Sequence, residues 1–322
     1  MDIRDRKELK AAAEQALTCA PNNKKILLIW AGVNTVLPLL VSVISLILNS
    51  QISNTGGLSG IGLRSVLSTV QSALSLSISL LLPFWTIGYT AAALCFARKQ
   101  PVGPATLLEG FRRFGTVLGV TLLKALIFVA VSIPCFYAGI FVLSLTPLAD
   151  PVYSILSNSE QLLLSGTLDE TVLQSAAEAM MPMFLVCAAI CCLVLIPVAY
   201  RLRLTELRVI DSPRCSALYA IHESRQLMRR NRVHLFLLDL SFWWFYLLEF
   251  LLTVLCYGDT LLPSLGISLP FSDDVAYFVF YIAGLLGQLL LLYCFGNKVH
   301  TTYALFYDAL RTPPKEASAI SL

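Results

Sequence analysis

Long apolar runs alternate with short polar segments along this chain. Six of the runs are close to or above the roughly 20 residues that a helix needs to cross a hydrocarbon core about 30 Å thick. They cover residues 26–49, 66–92, 116–143, 183–200, 233–256 and 275–295. The pattern predicts an all-α, polytopic membrane protein with six transmembrane helices.

Short segments with a helical period precede alternate spans. Asp5 followed by Glu8 predicts a capped helix start, Pro104 a second and Ser212-Pro213 a third. Each predicted helix leads into a basic segment and then a span, so we expect three repeated two-span hairpins with cytoplasmic amphipathic helices. The predicted domains are an amphipathic helix at 1–25, a six-span membrane domain at 26–300 and a cytoplasmic tail at 301–322.

Composition supports a membrane location and gives an orientation. The chain is 57% hydrophobic and only 13% charged, against about 25% charged in soluble domains. Of the 23 basic residues, all except Arg64 and Lys124 lie in the segments 1–25, 97–115, 201–232 and after 296. Because cytoplasmic loops retain Lys and Arg, we predict a multi-pass membrane protein with both termini cytoplasmic.

The segment SRQLMRRNRVHLFLLDL at 224–240 joins a basic helix to the fifth span. Its helix has a stripe of small and apolar residues, and basic residues near an anionic surface gain roughly 1 kcal/mol each. We therefore predict contact with anionic inner-leaflet lipids by Arg225, Arg229, Arg230 and Arg232. Docking of a protein partner or a homo-oligomer remains open, whereas nucleic acid is disfavoured because no recognition fold accompanies the basic residues.

Three ionisable residues lie inside predicted spans: Lys124, Asp239 and Glu249. Such residues are costly in a bilayer and are functional candidates. At 1.5 Å per residue, Lys124 and Asp239 reach similar depths from the inner surface and could form an intramembrane charge pair. Asp239 could instead turn back toward Arg232. The pair would be either a structural clasp or a gate in a carrier, while Glu249 belongs near the outer leaflet.

The second span carries a stripe of hydroxyl residues spaced three or four apart. Close helix packing and a polar path are both compatible with such a stripe, and packing is favoured because it carries no charge. Its members are Ser68, Ser72, Ser75, Ser79, Thr86 and Thr90.

Signatures of enzymes are missing from the sequence. It has no phosphate loop, no zinc-protease helix and no nucleophile elbow, so we expect no catalytic residue, no cofactor and no metal. The nine cysteines lie in or near spans or on the inner side, as expected for small apolar packing residues.

Five stretches carry a resemblance to a known family: IDSP at 210–213, AIHESRQLM at 220–228, LDLSFW at 238–243, TTYALFY at 301–307 and the N-terminal segment 9–23. With them the chain resembles the bacterial integral membrane proteins catalogued as domain of unknown function 975. Arg230 departs from that pattern, which usually has glycine before the asparagine. The resemblance implies a six-span, multi-pass protein of the bacterial cytoplasmic (plasma) membrane, and it brings no activity or catalytic residues with it.

Three classes of function follow. We favour a non-enzymatic membrane module that organises lipid or protein partners through its basic inner-surface helices. A small-molecule or lipid transporter using the intramembrane charges is the second class, since carriers combine repeated spans with charges near the midplane. An intramembrane enzyme is the third.

Overall fold

The computed structural model describes residues 5–54, 58–146, 170–212, 215–264 and 273–311. Every regular element in these ranges is helical, which confirms the all-α class. The α-helices are α1 (Arg6–Thr18), α2 (Asn23–Asn54), α3 (Leu58–Ala97), α4 (Glu109–Arg112), α5 (Phe114–Ser144), α6 (Glu170–Leu202), α7 (Thr205–Asp211), α8 (Ala217–Met228), α9 (Arg232–Leu240), α10 (Trp243–Leu255), α11 (Gly258–Ser264), α12 (Asp273–Leu291) and α13 (Asn297–Arg311). A 3-10 helix, Pro104–Leu108, precedes α4, and a π-helical turn, Leu292–Gly296, joins α12 to α13.

Five helical stretches in the described ranges are long and apolar enough to cross a membrane: Asn23–Ile44, Ser65–Ala97, Phe114–Ser144, Phe184–Asp211 and Val275–Arg311. A sixth crossing forms if α9 and α10, which meet at a bend of 64°, count as one span. Large apolar side chains on these helices point outward; Leu122, Phe141 and Leu193 are each more than half exposed. Such a surface suits contact with lipid.

The chain folds into two compact units, one formed by Met1–Gly119 with Leu204–Leu322 and the other by Val120–Arg203. In the second unit, α5 and α6 pack closely where Gly139 meets Cys187. A Cβ on Gly139 would be 2.9 Å from the Cys187 sulfur. The Phe136 and Phe184 rings lie 6.3 Å apart in the same unit. Small residues therefore bring these two helices together.

The first unit has an aromatic core between α2, α3 and α13. Trp30 and Tyr89 stack with ring centroids 4.3 Å apart, and the ring of His300 meets both edge-on. The Tyr89 hydroxyl donates to Asn297 Oδ1 at 2.6 Å, and the Asn297 amide donates to the Asn23 carbonyl at 3.1 Å. These bonds satisfy polar groups that would otherwise be costly to bury.

Two glycines allow the chain that follows α3 to lie directly against that helix. A Cβ on Gly88 would lie 1.9 Å from the carbonyl oxygen of Leu107, and a Cβ on Gly110 would lie 2.0 Å from that of Phe84. The ring of Phe84 also stacks on Phe114 with centroids 4.8 Å apart. The 3-10 helix and α4 are thus fixed to α3 by backbone contact.

Two of the three predicted helix starts are confirmed. The side chain of Asp5 accepts hydrogen bonds from the N–H groups of Lys7 at 2.9 Å and Glu8 at 3.2 Å, which caps α1. Pro104 occupies the beginning of the 3-10 helix, where its missing N–H has no cost.

The third predicted start is wrong. Ser212 follows the end of α7, and α8 begins at Ala217. Ser216 is its N-cap, accepting the N–H of Tyr219 at 3.3 Å. Pro213 lies outside the described residues. The helix therefore begins after Ser216, whose side chain can bond the first turn, and not at Pro213 as predicted.

The predicted fifth span, 233–256, is not one straight helix. In a continuous α-helix the Leu238 carbonyl would accept from the N–H of Phe242, but the Ser241 hydroxyl donates to that carbonyl at 2.6 Å. The Phe242 N–H bonds to the carbonyl of Asp239 at 2.9 Å instead. A serine that competes for a backbone acceptor therefore accompanies the bend.

Residues 301–311, assigned to a tail from the sequence, belong to a packed helix. Helix α13 buries Thr301, Thr302, Ala304, Phe306 and Tyr307. The apolar run ends near residue 295. The residues that follow are of mixed polarity, so their buried helix face is not evident from the sequence. The remaining residues of the predicted tail, 312–322, lie outside the described ranges.

Candidate functional site

Asp239 lies near the carboxyl end of α9, just before the bend. The hydroxyl of Tyr303 on α13 donates to Asp239 Oδ1. The hydroxyls of Tyr246 and Tyr303 are 2.6 Å apart. Because the Tyr303 hydrogen is committed to the carboxylate, Tyr246 is the donor of this second bond. A chain of two phenols thus leads to the aspartate and links α10, α13 and α9.

Helix α1 meets the bend from another direction. Lys10 Nζ donates to the carbonyl of Ser241 at 2.7 Å and lies 3.9 Å from the centre of the Phe242 ring. Arg6 reaches the Leu237 carbonyl at 3.5 Å. Cations at a helix carboxyl end are favourable because the last carbonyls carry partial negative charge. These contacts hold α1 at the interruption of the predicted span.

The ammonium group of Lys10 is in an environment that disfavours its charge. Burial, followed by repulsion from Lys298 and Arg6, lowers the pKa of Lys10 from its usual value. The carbonyl of Ser241 and the face of the Phe242 ring are the contacts that favour the cation.

We expect the Asp239–Tyr303 bond to be energetically coupled. Asp239→Asn and Tyr303→Phe should each cost about 1–3 kcal/mol, and the double variant should cost less than their sum by about 0.5–3 kcal/mol. Thermal unfolding of the detergent-solubilised protein measures the cycle. Tyr137→Phe, at an exposed tyrosine of the second unit, is the control with little effect. Strict additivity would refute the coupling.

The predicted pairing of Lys124 with Asp239 stays a prediction. Lys124 lies on α5 in the second unit, and Asp239 lies on α9 in the first. The alternative, in which Asp239 turns toward Arg232, also remains a prediction. Glu249 lies on α10 with its residue exposed, and its carbonyl accepts from the Thr253 hydroxyl at 2.8 Å.

The hydroxyl stripe of the second span lies along α3 and divides into two parts. Its first four members, Ser68, Ser72, Ser75 and Ser79, are exposed, whereas Thr86 and Thr90 are half-buried. Ser72 donates to the Ser68 carbonyl at 2.8 Å, and Thr90 to the Thr86 carbonyl at 3.0 Å. Hydroxyls of the stripe therefore bond to carbonyls of their own helix.

A second group of charged residues surrounds Asp211, whose side chain is only 6% exposed. Arg98 Nη1 lies 2.8 Å from Asp211 Oδ1, and Arg208 Nη1 lies 3.6 Å from Oδ2. Arg311 pairs with the same Oδ2, and the Tyr307 hydroxyl donates to it at 3.1 Å. We call these five residues the Asp211 cluster; they tie the ends of α3, α7 and α13 together.

Two further acids extend the Asp211 cluster. Arg98 binds Asp308 through Nη2 at 2.6 Å and Nε at 3.0 Å, a two-point contact of the strong kind. Its hydrogen bond with Asp308 is the main reason why the pKa of Arg98 is raised. Arg208 Nε lies 2.5 Å from Glu223 Oε2, which brings α8 into the network.

The arginines predicted to contact lipid lie at the carboxyl end of α8 and the start of α9. Arg225, Arg229 and Arg230 are exposed and form no ion pair with any described residue, and Arg232 is half-buried. The stripe of small and apolar residues on α8 faces the protein, since Ala220, Ile221, Ser224 and Met228 are buried. The apolar face of α8 is therefore covered by this chain, and its arginines form the outer surface.

Sequence reasoning missed several residues of these sites. Tyr303 and Asp308 lie in a segment assigned to a tail, and Lys10 was counted only as a basic residue. The signal for Tyr303 was the period of α13, whose buried positions recur at three and four residues beyond the apolar run.

No metal centre emerges from residues 5–311 where these are described: no group of three or more His, Cys, Asp or Glu side chains there is placed to bind an ion. The described cysteines are free thiols. The polar side chains of the described sites interact through hydrogen bonds and ion pairs.

Long apolar helices with charged side chains near their ends define a multi-pass helical membrane protein. The chain belongs to the family described as "Protein of unknown function (DUF975)", which matches residues 1–313. This match confirms the resemblance drawn from its sequence. No curated protein and no solved structure matches the chain.

Proposed function

We propose that the protein is a non-enzymatic module of the bacterial plasma membrane that binds anionic inner-leaflet lipid and organises lipid or protein partners there. The observation that carries the proposal is the exposure of Arg225, Arg229 and Arg230 beside the start of α9, where they form no ion pair with a described residue. A basic surface next to a membrane-crossing segment favours anionic headgroups.

The rigidity of α8 supports this function. Its Ala220 and Met228 are fully buried, and Glu223 pairs with Arg208. A helix held in this way presents its arginines without further ordering of the backbone, so that less conformational entropy opposes lipid binding.

Lipid binding can be measured on the full chain in mixed micelles. Adding phosphatidylglycerol should raise the thermal midpoint of the parent protein more than phosphatidylcholine does, and salt should reduce the difference. Replacing Arg225, Arg229 and Arg230 together by Gln should remove most of it. The matched triple Lys variant keeps the charge and should retain it. Equal stabilisation by both lipids would contradict the proposal.

The orientation of the protein follows from the same reasoning, with both termini and α8 in the cytoplasm. In a cysteine-free background, we expect cysteines at Leu58, Ser165 and Ser268 to react with an impermeant thiol reagent in intact cells. Cysteines at Gln100, Ser216 and Ser318 should react only after lysis. The reverse pattern would overturn the orientation.

We also infer a repeat of three two-span hairpins, each introduced by an amphipathic helix. Its support is the element order: α1 precedes α2, the 3-10 helix and α4 precede α5, and α8 precedes α9.

A transporter of small molecules or lipids is the second candidate. The bend between α9 and α10 beside Asp239 favours it, because carriers place binding groups at interrupted helices. Uptake by the purified protein in liposomes, lost in Asp239→Asn and retained in Tyr137→Phe, would support transport over the module.

A further inference from the structure

A cavity of about 330 Å³ opens in the first unit between α3, the 3-10 helix, α4 and the end of α7. Three arginines contribute to its lining: Arg98, Arg112 and Arg113. The polar side chains of Gln100 and Thr106 also line it. A cavity near the lower end of the roughly 300–1,000 Å³ range of ligand pockets suits a small ligand or a headgroup.

The two carboxylates of the lining are already matched by cations. Asp211 is paired with Arg98, Arg208 and Arg311. Glu109 is shared between Arg112 at 3.4 Å and Arg113 at 3.3 Å. Asp308 on Arg98 and Glu223 on Arg208 are further acids of the network, so among the described residues five arginines face four carboxylates and one positive charge is in excess.

Donor groups also remain for a ligand. Arg113 is held by the carbonyls of Val209 at 2.5 Å and Ile210 at 2.6 Å through one nitrogen, Nη1. Among the described residues, Arg112 makes one long polar contact, to Glu109, and its side chain is 69% exposed. A guanidinium has N–H groups on three nitrogens, so both arginines keep donors that these bonds do not use.

We propose that this cavity binds a phosphate group, carried either by a small soluble ester or by a lipid headgroup. Guanidinium forks match phosphate oxygens in two-point contacts, and a tetrahedral anion can meet donors from several directions. Arg113 is a preorganised donor, because backbone carbonyls fix it in place. Arg112 is the adaptable one. Exposed Leu108 and Phe114 lie next in sequence to the lining segments and suit the acyl chains of a lipid source.

Two titrations of the purified full chain test the proposal and separate the sources. Inorganic phosphate and glycerol 3-phosphate are titrated calorimetrically in a neutral detergent, and phosphatidic acid is titrated in the same micelles. We expect saturable binding in at least one titration, weakened about tenfold or more in Arg112→Gln. Lys7→Gln removes one positive charge at an exposed position of α1, outside the cavity, and should bind like the parent.

The outcomes are distinct. Binding of the soluble anions assigns the site to a soluble ester, and binding of phosphatidic acid alone assigns it to a lipid. Loss of binding in Arg112→Lys, which keeps charge without the fork, would add that two-point geometry matters. No saturable binding in any titration, or equal affinity of Arg112→Gln and Lys7→Gln, overturns the proposal. The variant lacking Arg225, Arg229 and Arg230 should keep the part of the binding that Arg112→Gln removes, so this test is independent of the proposed function.

Discussion

Gly88→Ala should destabilise the protein by about 3 kcal/mol, near the upper end of the usual cost of overpacking. A Cβ at this position would lie 1.9 Å from the Leu107 carbonyl oxygen, far inside any allowed contact. That oxygen belongs to the backbone of the 3-10 helix and cannot rotate away as a flexible side chain could. The 3-10 helix would have to separate from α3, with loss of the packing around buried Leu107.

Gly32→Ala provides the matched control, because nothing lies within 4 Å of a Cβ built there. Gly32 is inside α2, and alanine is the better helix former by roughly 1 kcal/mol, so this variant should be neutral or slightly stabilised. Thermal unfolding of both variants in one detergent measures the difference. Equal midpoints for Gly88→Ala and Gly32→Ala would show that α3 and the 3-10 helix are not in contact in solution.

The helices were largely predictable because a bilayer imposes one strong requirement, an apolar run of sufficient length. The bend in the fifth span was not, since a single serine such as Ser241 inside an apolar run is also compatible with a continuous membrane helix. What distinguishes them is a side-chain bond to the Leu238 carbonyl and a cation from α1 on the Ser241 carbonyl. The contact from Lys10 joins distant parts of the chain and has no local signal.

Of the hydrogen-bonded pair Asp239 and Tyr303, only the aspartate could be predicted from the sequence. Asp239 was identified because burying an acid inside a membrane span costs free energy, which makes such a residue a functional candidate. Its phenolic partner Tyr303 was not identified, because it follows the last predicted span, where a polar side chain has no cost that would single it out. The Asp211 cluster was missed for a related reason. Its members come from α3, α7 and α13, each polar residue lying at a helix end where charge is ordinary.

Asp211→Asn should cost about 3–5 kcal/mol, the usual penalty for removing one partner of a buried ionic group. The variant keeps the size of the side chain but removes the negative charge that Arg98, Arg208 and Arg311 share. Three guanidiniums would then repel one another near a side chain that is 6% exposed. Glu14→Gln is the control, because the Glu14 side chain is 61% exposed and its pair with Lys298 should contribute less than about 1 kcal/mol.

A second substitution distinguishes repulsion from a simple loss of hydrogen bonds. Arg311→Gln removes one of the three cations, and its side chain is 40% exposed, so the single change should be mild. Combined with Asp211→Asn, it should recover part of the lost stability, since fewer like charges remain together. Chemical or thermal unfolding of the two single variants and the double variant gives the coupling. If the double variant is no more stable than Asp211→Asn, charge balance is not what Asp211 provides, and its bond from Tyr307 would carry the effect instead.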